Sequence, residues 1–287
     1  MYNIKKNIDL SKFSKFEVGG IAEFLFIPQN LNELINFIKS KNYKPPLHIV
    51  GAGSNLLFDD GIIIGTTILT TQLNNIKINK DNIIAECGVL NSKLFNFTKN
   101  NNIGGFEFLG CIPGTVGGAC KTNAGCYNSE IKDILINIKT IDLYGNIKTF
   151  TTEECNFEYR KIGLDNNLIF LEASFKINTK KDKNDIEATF KEMMNKKITS
   201  QPINEKTCGS TFKNPKEMPA WKVIQEIGLQ NVDFNGVKFS EKHANFLVNV
   251  NSNNSQDIKN LIDIAIKKAK EQLNIDLQLE IQIIGNK

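Results

Sequence analysis

Thr207-Cys208-Gly209-Ser210-Thr211-Phe212-Lys213-Asn214-Pro215 gathers hydroxyls, a thiol, an ammonium and an amide around one glycine and ahead of a proline. Such a set can line a polar pocket, yield a proton or hold an anion, and it can equally be a loop whose Ser and Thr bond their own backbone. Serine-protease chemistry fits it poorly. Gly-x-Ser-x-Gly is missing, and His48 and His243 are the only histidines that could serve as bases. A different chemistry is carried by glycine. Seven of the chain's 20 glycines fall in the 22 residues from Gly104 to Gly125, including Gly110, Gly114, Gly117 and Gly118. Without a Cβ, such backbone can turn its N–H groups toward a phosphate or a ring system. A second stretch, Ile49-Val50-Gly51-Ala52-Gly53-Ser54-Asn55-Leu56-Leu57, reads as a strand that breaks into an anion-binding turn. It matches neither Gly-x-Gly-x-x-Gly nor the phosphate loop that ends in Lys-Ser/Thr.

The elements that must position these residues follow from periodicity. Ala22 to Pro28 alternates like a strand, Leu31, Leu34, Ile35 and Ile38 recur at helical spacing, and His48-Ile49-Val50 delivers the Gly51 turn. Strands are expected at 62–64 and 83–87, a short helix at 91–101, and a hairpin from Ile134 to Phe150 turning at Tyr144-Gly145-Asn146. The polar run 178–184 marks a boundary, followed by a helix over 185–198. The last third reads as an α+β unit: a helix over 220–227 with Trp221 in its core, a strand over 244–249, and a helix capped by Ser255 or Asp257. It closes with a strand in which Ile275, Leu277, Leu279, Ile281 and Ile283 alternate with Asp276, Gln278, Glu280 and Gln282.

With 287 residues and 41% hydrophobic content, the chain can bury a sizeable core in two or three modest domains. Its net charge of +4 is spread over scattered lysines, which argues against a nucleic-acid or membrane surface and suffices for a small anionic ligand. The six cysteines form no Cys-x-x-Cys pair and have two histidines for company, so no zinc site is expected. They read as reduced thiols of a cytoplasmic protein. No apolar run approaches the ~20 residues that span a bilayer, and the basic N-terminal residues precede no apolar signal segment.

Five segments occur in order: Gly51-Ala52-Gly53-Ser54-Asn55-Leu56-Leu57; Ile112-Pro113-Gly114-Thr115-Val116-Gly117-Gly118; Asn123-Ala124-Gly125; Tyr159-Arg160; and Gly209-Ser210-Thr211-Phe212-Lys213-Asn214-Pro215. Together they resemble the UDP-N-acetylenolpyruvoylglucosamine reductase family, flavoenzymes that use NADPH to make UDP-N-acetylmuramate for peptidoglycan. Val18-Gly19-Gly20 and Phe239 to Phe246 extend the resemblance over nearly the whole chain. It implies an α+β fold: an FAD-binding unit of two subdomains, of the p-cresol methylhydroxylase type, at 1–70 and 71–184, then a substrate-binding domain at 185–287. The shorter class of the family fits, since 171–200 has no room for an extra tyrosine-bearing loop.

The resemblance implies non-covalent FAD, held by Val50, Gly51, Ala52, Gly53, Ser54, Asn55, Leu56, Gly110, Ile112, Pro113, Gly114, Thr115, Gly117, Gly118, Asn123, Ala124 and Gly125. NADPH is the hydride donor and UDP-N-acetylglucosamine enolpyruvate the acceptor, bound by Tyr159, Lys213 and Asn214, in a protein acting as a monomer. The reaction adds hydride at C3 of an enolpyruvyl ether and a proton at C2. By the resemblance Ser210 is the proton donor, while Arg160 and Glu280 polarise the substrate and stabilise charge that develops beside its carboxylate. Two rivals are another FAD oxidoreductase of the same cofactor fold and a non-catalytic relative that binds flavin or nucleotide sugar. The presence of Ser210, Arg160 and Glu280 together argues against both. His243 is expected to be structural. Two positions depart from the family pattern: Glu17 stands where a basic residue is usual, and Ile162 where Tyr-Arg-x-Ser has its serine.

Overall fold

The computed structural model describes residues 2–285. They fall into two compact units, each drawn from separated stretches of chain: one from the residues up to Lys5, Leu25–Ala52 and Gly65–Lys196, the other from Lys6–Phe24, Gly53–Ile64 and Lys197 onward. Short early segments join a core built largely from the last third of the chain.

In chain order the strands are β1 (Ile4–Asp9), β2 (Ile21–Phe26), β3 (Leu47–Val50), β4 (Leu56–Phe58), β5 (Ile62–Leu69), β6 (Ile76–Asn79), β7 (Asn82–Glu86), β8 (Gly125–Cys126), β9 (Ser129–Glu130), β10 (Leu135–Ile141), β11 (Ile147–Thr151), β12 (Ile169–Lys176), β13 (Val237–Phe239), β14 (Leu247–Asn249) and β15 (Gln282–Ile284). The helices are α1 (Leu31–Ser40), α2 (Asn91–Asn100), α3 (Glu107–Gly110), α4 (Val116–Lys121), α5 (Ile131–Ile134), α6 (Lys183–Ser200), α7 (Ala220–Glu226) and α8 (Ser255–Leu273). Strand and helix are mixed throughout, as the α+β expectation required.

The first unit is organised by a five-stranded antiparallel sheet in the order β11-β10-β12-β7-β6. The expected hairpin is β10 and β11. Its turn is shaped by the Asp142 carboxylate, which accepts from the N–H groups of Tyr144 and Asn146 at 2.8 and 2.9 Å, and by Gly145 at φ 88°. Leu34, Phe37 and Ile38 of α1 are buried at helical spacing, and the Phe37 ring lies 3.9 Å from that of Phe26. Asn30 caps α1 by accepting from Glu33 N–H at 2.9 Å. β3 runs parallel to β5, with Val50 opposite Leu69, and so ends where Gly51 begins.

The second unit packs α7 and α8 with β13 and β14 around Phe212, Phe239, Leu247 and Leu261. Phe16, Val18 and Leu57 complete that core from early in the sequence. α8 buries Ile258, Leu261, Ile262, Ala265 and Ala269. Its cap is Asn254, which accepts from Asp257 N–H, while Asp60 accepts from the N–H groups of Ser255 and Gln256. Neither Ser255 nor Asp257 is therefore the cap. Trp221 also corrects the sequence reading. α7 buries Ala220, Val223 and Ile224, and its next residue, Ile227, is buried too; this stripe turns Trp221 outward, 41% exposed. The closing segment keeps its alternation only as far as Ile281, with Ile275, Leu277 and Ile281 buried and Leu279 partly so; Ile283 departs from the expected buried face at 38% exposed, and only Gln282–Ile284 forms a regular strand, parallel to β4.

Candidate functional site

The Gly51 turn supplies backbone donors. Among the described residues, the N–H groups of Gly51, Ala52, Gly53 and Asn55 have no hydrogen-bond partner. Gly53 adopts φ +64°, and a Cβ there would stand 1.7 Å from the carbonyl oxygen of Phe13. Glycine is required on both counts. Gly53→Ala is expected to cost about 3 kcal/mol in folding free energy through left-handed strain and backbone displacement. Gly61→Ala is the control: φ there is +80° and the space beside it is open, so about 1 kcal/mol is expected. Urea midpoints of the apo-proteins check the difference.

The second glycine stretch behaves less uniformly. Val116 and Gly117 give their N–H groups to the carbonyls of Val89 and Cys87, both at 2.8 Å. Those two amides hold the loop in place. The N–H groups of Gly114, at φ 124°, and of Thr115 have no partner among the described residues. Gly51 and Thr115 meet, since a Cβ on Gly51 would come within 2.4 Å of the Thr115 hydroxyl. Both glycine turns thus share one contact within the first unit. Gly110 serves packing, because a Cβ would lie 2.7 Å from the Phe95 ring and 2.8 Å from that of Phe190. Unpartnered amides beside a side-chain-free approach fit a pyrophosphate and a planar ring system.

Asn123 is fully buried, and its amide is used by the protein. It donates to Glu130 Oε2 and to the Glu158 carbonyl, both at 3.1 Å, and accepts from Lys132 N–H at 3.2 Å. By holding Glu158 it fixes the turn that carries Tyr159 and Arg160. Glu158 and Lys161 exchange backbone hydrogen bonds across that turn, leaving Arg160 left-handed at φ 55°. The Arg160 guanidinium donates from Nη2 to the Gly125 carbonyl at 2.8 Å and lies 3.8 Å from Glu130 Oε1. Its group also sits 5.1 Å from the centre of the Tyr159 ring. Glu130 is thus one acid beside Arg160, while Glu158 pairs with Lys161 at 3.2 Å. Ile162, in place of the family's serine, is 5% exposed in the first unit's core and contributes packing there.

In the second unit, Ser210 and Glu280 are brought together by backbone. Ser210 bridges Phe246, and Thr211 N–H donates to Asn245 O at 2.7 Å. Glu280 N–H donates to Thr211 O at 2.9 Å, and Lys213 N–H to Gln278 O at 2.8 Å. The Asn55 side chain then donates to Glu280 O at 3.0 Å, and Gln282 N–H to Asn55 O at 2.9 Å. One hydrogen-bonded strip therefore links the Ser210–Thr211 segment, Glu280 and Asn55. Asn214 accepts from Ala220 N–H at 3.0 Å, where α7 begins.

Three groups escaped the sequence reading. Asn245 clamps Phe212 by accepting from its N–H at 3.0 Å and donating to its carbonyl at 2.8 Å. Its position in the segment 239–246 was the available signal. Glu130 and the Gly125 carbonyl gave none as partners of Arg160, because pairing across loops leaves no local pattern. Cys208 donates to Leu56 O at 3.2 Å, and burial pushes its thiol up to about 11. It stays protonated near neutral pH and is no nucleophile. Glu17 pairs with Lys206 at 2.8 Å.

His243 accepts from Asn245 N–H at 3.3 Å and packs 4.6 Å from the Phe246 ring. Burial lowers its pKa from the ordinary 6.5. The unfolded chain thus takes up this proton more readily, so the contribution to stability is present above about pH 6.5 and is lost as pH falls through the lower folded value. His243→Gln is expected to flatten the decline of the urea midpoint between pH 7.5 and 5.5.

Residues 22–151 match the FAD binding domain family, and residues 201–284 match the family described as UDP-N-acetylenolpyruvoylglucosamine reductase, C-terminal domain. A UDP-N-acetylenolpyruvoylglucosamine reductase of Pelagibacter ubique is 43% identical over 98% of this chain and 94% of its own length. One from Rickettsia akari is 40% identical over 98% and 95%. The crystal structure of the reductase from Thermus caldophilus superposes with a TM-score of 0.84 at 27% identity, covering 99% of both chains.

Proposed function

The chain belongs to the UDP-N-acetylenolpyruvoylglucosamine reductase family, and from that premise we propose which of its residues carry the reaction. The protein is an FAD-containing oxidoreductase that reduces UDP-N-acetylglucosamine enolpyruvate to UDP-N-acetylmuramate with NADPH, a step in making peptidoglycan precursors. Its work is that of a cytoplasmic monomer; among the described residues no helix is long and apolar enough to cross a membrane. Residues 1–70 and 71–184 serve FAD, and 185–287 serve the substrate.

FAD, when bound, supplies the hydride carrier between NADPH and the double bond. The free N–H groups of Gly51, Ala52, Gly53, Asn55, Gly114 and Thr115 hold its pyrophosphate and ring, supported by Val50, Ser54, Leu56 and the 110–118 loop. Arg160 grips the substrate carboxylate with a planar fork that keeps its charge at any working pH. The Ser210 hydroxyl delivers the proton to C2 as negative charge grows there, and Glu280 polarises the same region as a hydrogen-bonding carboxyl. Such preorganised groups act most strongly away from water. Tyr159, Lys213 and Asn214 orient the nucleotide sugar.

The observation that carries this reading is the strip Thr211–Glu280–Asn55. It joins the segment of the proposed proton donor, the proposed carboxyl and Asn55 within the second unit. The test is isotopic. With NADPH deuterated at the transferring position and ordinary water, deuterium is expected at C3 of the product and hydrogen at C2. Deuterium at C2 would overturn the assignment.

A further inference from the structure

β8 and β9 form a small hairpin whose two turn residues, Tyr127 and Asn128, are both left-handed at φ 53° and 62°. Asn adopts this conformation readily, but a bulky Tyr does so only where its surroundings determine it. One tie is visible: the Tyr127 hydroxyl donates to the Met193 carbonyl of α6 at 2.9 Å. α6 is itself anchored beside the hairpin's unit, through the Phe190 ring 4.5 Å from Phe95 and the Glu187 carboxylate 2.7 Å from Lys99 Nζ. The hairpin walls end on Arg160: Gly125 supplies the carbonyl that Nη2 bonds, and Glu130 the carboxylate beside Nη1. Displacing the tip would displace these two anchors of the guanidinium.

We propose that Tyr127 is a positioning residue for Arg160, clamping the hairpin tip to α6 so that Gly125 and Glu130 hold the guanidinium in place. This rests on the reading of Arg160 as the group that grips the substrate carboxylate. The phenol touches neither substrate nor cofactor in this account; it acts through the hairpin.

Tyr127→Phe removes one oxygen and keeps the ring. In the apo-protein, amide hydrogen exchange across 124–130 is expected to accelerate about tenfold, the loss of one hydrogen bond's worth of protection. In the loaded enzyme, the ratio of substrate-driven flavin reoxidation to NADPH-driven reduction is expected to fall about tenfold. The decisive comparison is the double variant. If Tyr127 acts through Arg160, Tyr127→Phe adds no further loss in an Arg160→Met background. A full additional tenfold loss there, or unchanged exchange in the single variant, overturns the clamp. An Arg160→Met enzyme that reoxidises at the normal rate overturns the Arg160 reading instead and the proposal with it, a result separable from the exchange measurement.

Discussion

Ser210→Ala leaves an enzyme whose flavin still bleaches with NADPH but whose reoxidation by the enolpyruvyl substrate is slower by about 10²–10⁴-fold, the usual worth of a positioned proton donor. The asymmetry follows from the chemistry. Hydride transfer from NADPH needs no proton from Ser210, whereas protonation at C2 completes the second half-reaction. The substitution is small, and the backbone around it is held elsewhere, by Thr211 on Asn245 and by Glu280 on Thr211. Folding is expected to be nearly unchanged. Stopped-flow absorbance resolves the two halves, and equal losses in both would remove Ser210 from proton transfer.

Arg160→Met is expected to slow reoxidation by about 10²–10³-fold, comparable to the loss of one preorganised charge-stabilising group. Stability should fall as well, by about 1–3 kcal/mol, because the side chains of Arg160 and Glu130 are only 20% and 24% exposed and the Gly125 carbonyl loses its 2.8 Å donor. Arg160→Lys should recover only part of the rate. One ammonium cannot both donate to Gly125 O and grip a carboxylate with two parallel bonds. Saturation kinetics on the substrate separate weaker binding from a slower chemical step, and a variant that lost only substrate affinity would restrict Arg160 to binding.

What the sequence made legible is local. The α1 spacing of Leu31, Leu34, Ile35 and Ile38, the Tyr144-Gly145-Asn146 turn and the break after Val50 all follow from interactions within a few residues and stand in the structure, although the fully buried stripe is Leu34, Phe37 and Ile38, with Leu31 and Ile35 only partly covered. Ser210 and Arg160 lie in the ordered motifs and Glu280 follows only from the family resemblance, but the surroundings of all three depend on distant pairings. Asn55 reaches Glu280 across 225 positions, and Asp60 binds the start of α8 across 195. No periodicity encodes either bond. The same limit explains the misread cap: Ser255 has a suitable side chain, yet its N–H is bound by Asp60 and the capping oxygen belongs to Asn254. Trp221 misled because its size outweighed its angle on the helix. In Ile275 to Ile281 the alternation reported which side chains are buried, while the neighbours on offer allowed only isolated bridges such as Phe212 with Leu279. The discontinuous second unit was invisible for a related reason, since Phe16, Val18 and Leu57 announce burial but not their partners.

The central claim is that this chain passes hydride from NADPH to an enolpyruvyl ether through FAD bound at its glycine turns. The most direct measurement is an anaerobic absorbance experiment on the FAD-loaded protein, adding NADPH and then UDP-N-acetylglucosamine enolpyruvate. Bleaching of the flavin bands followed by their recovery, with stoichiometric UDP-N-acetylmuramate, is the predicted result. Bleaching that persists after the enolpyruvyl substrate is added would contradict it and require a different acceptor.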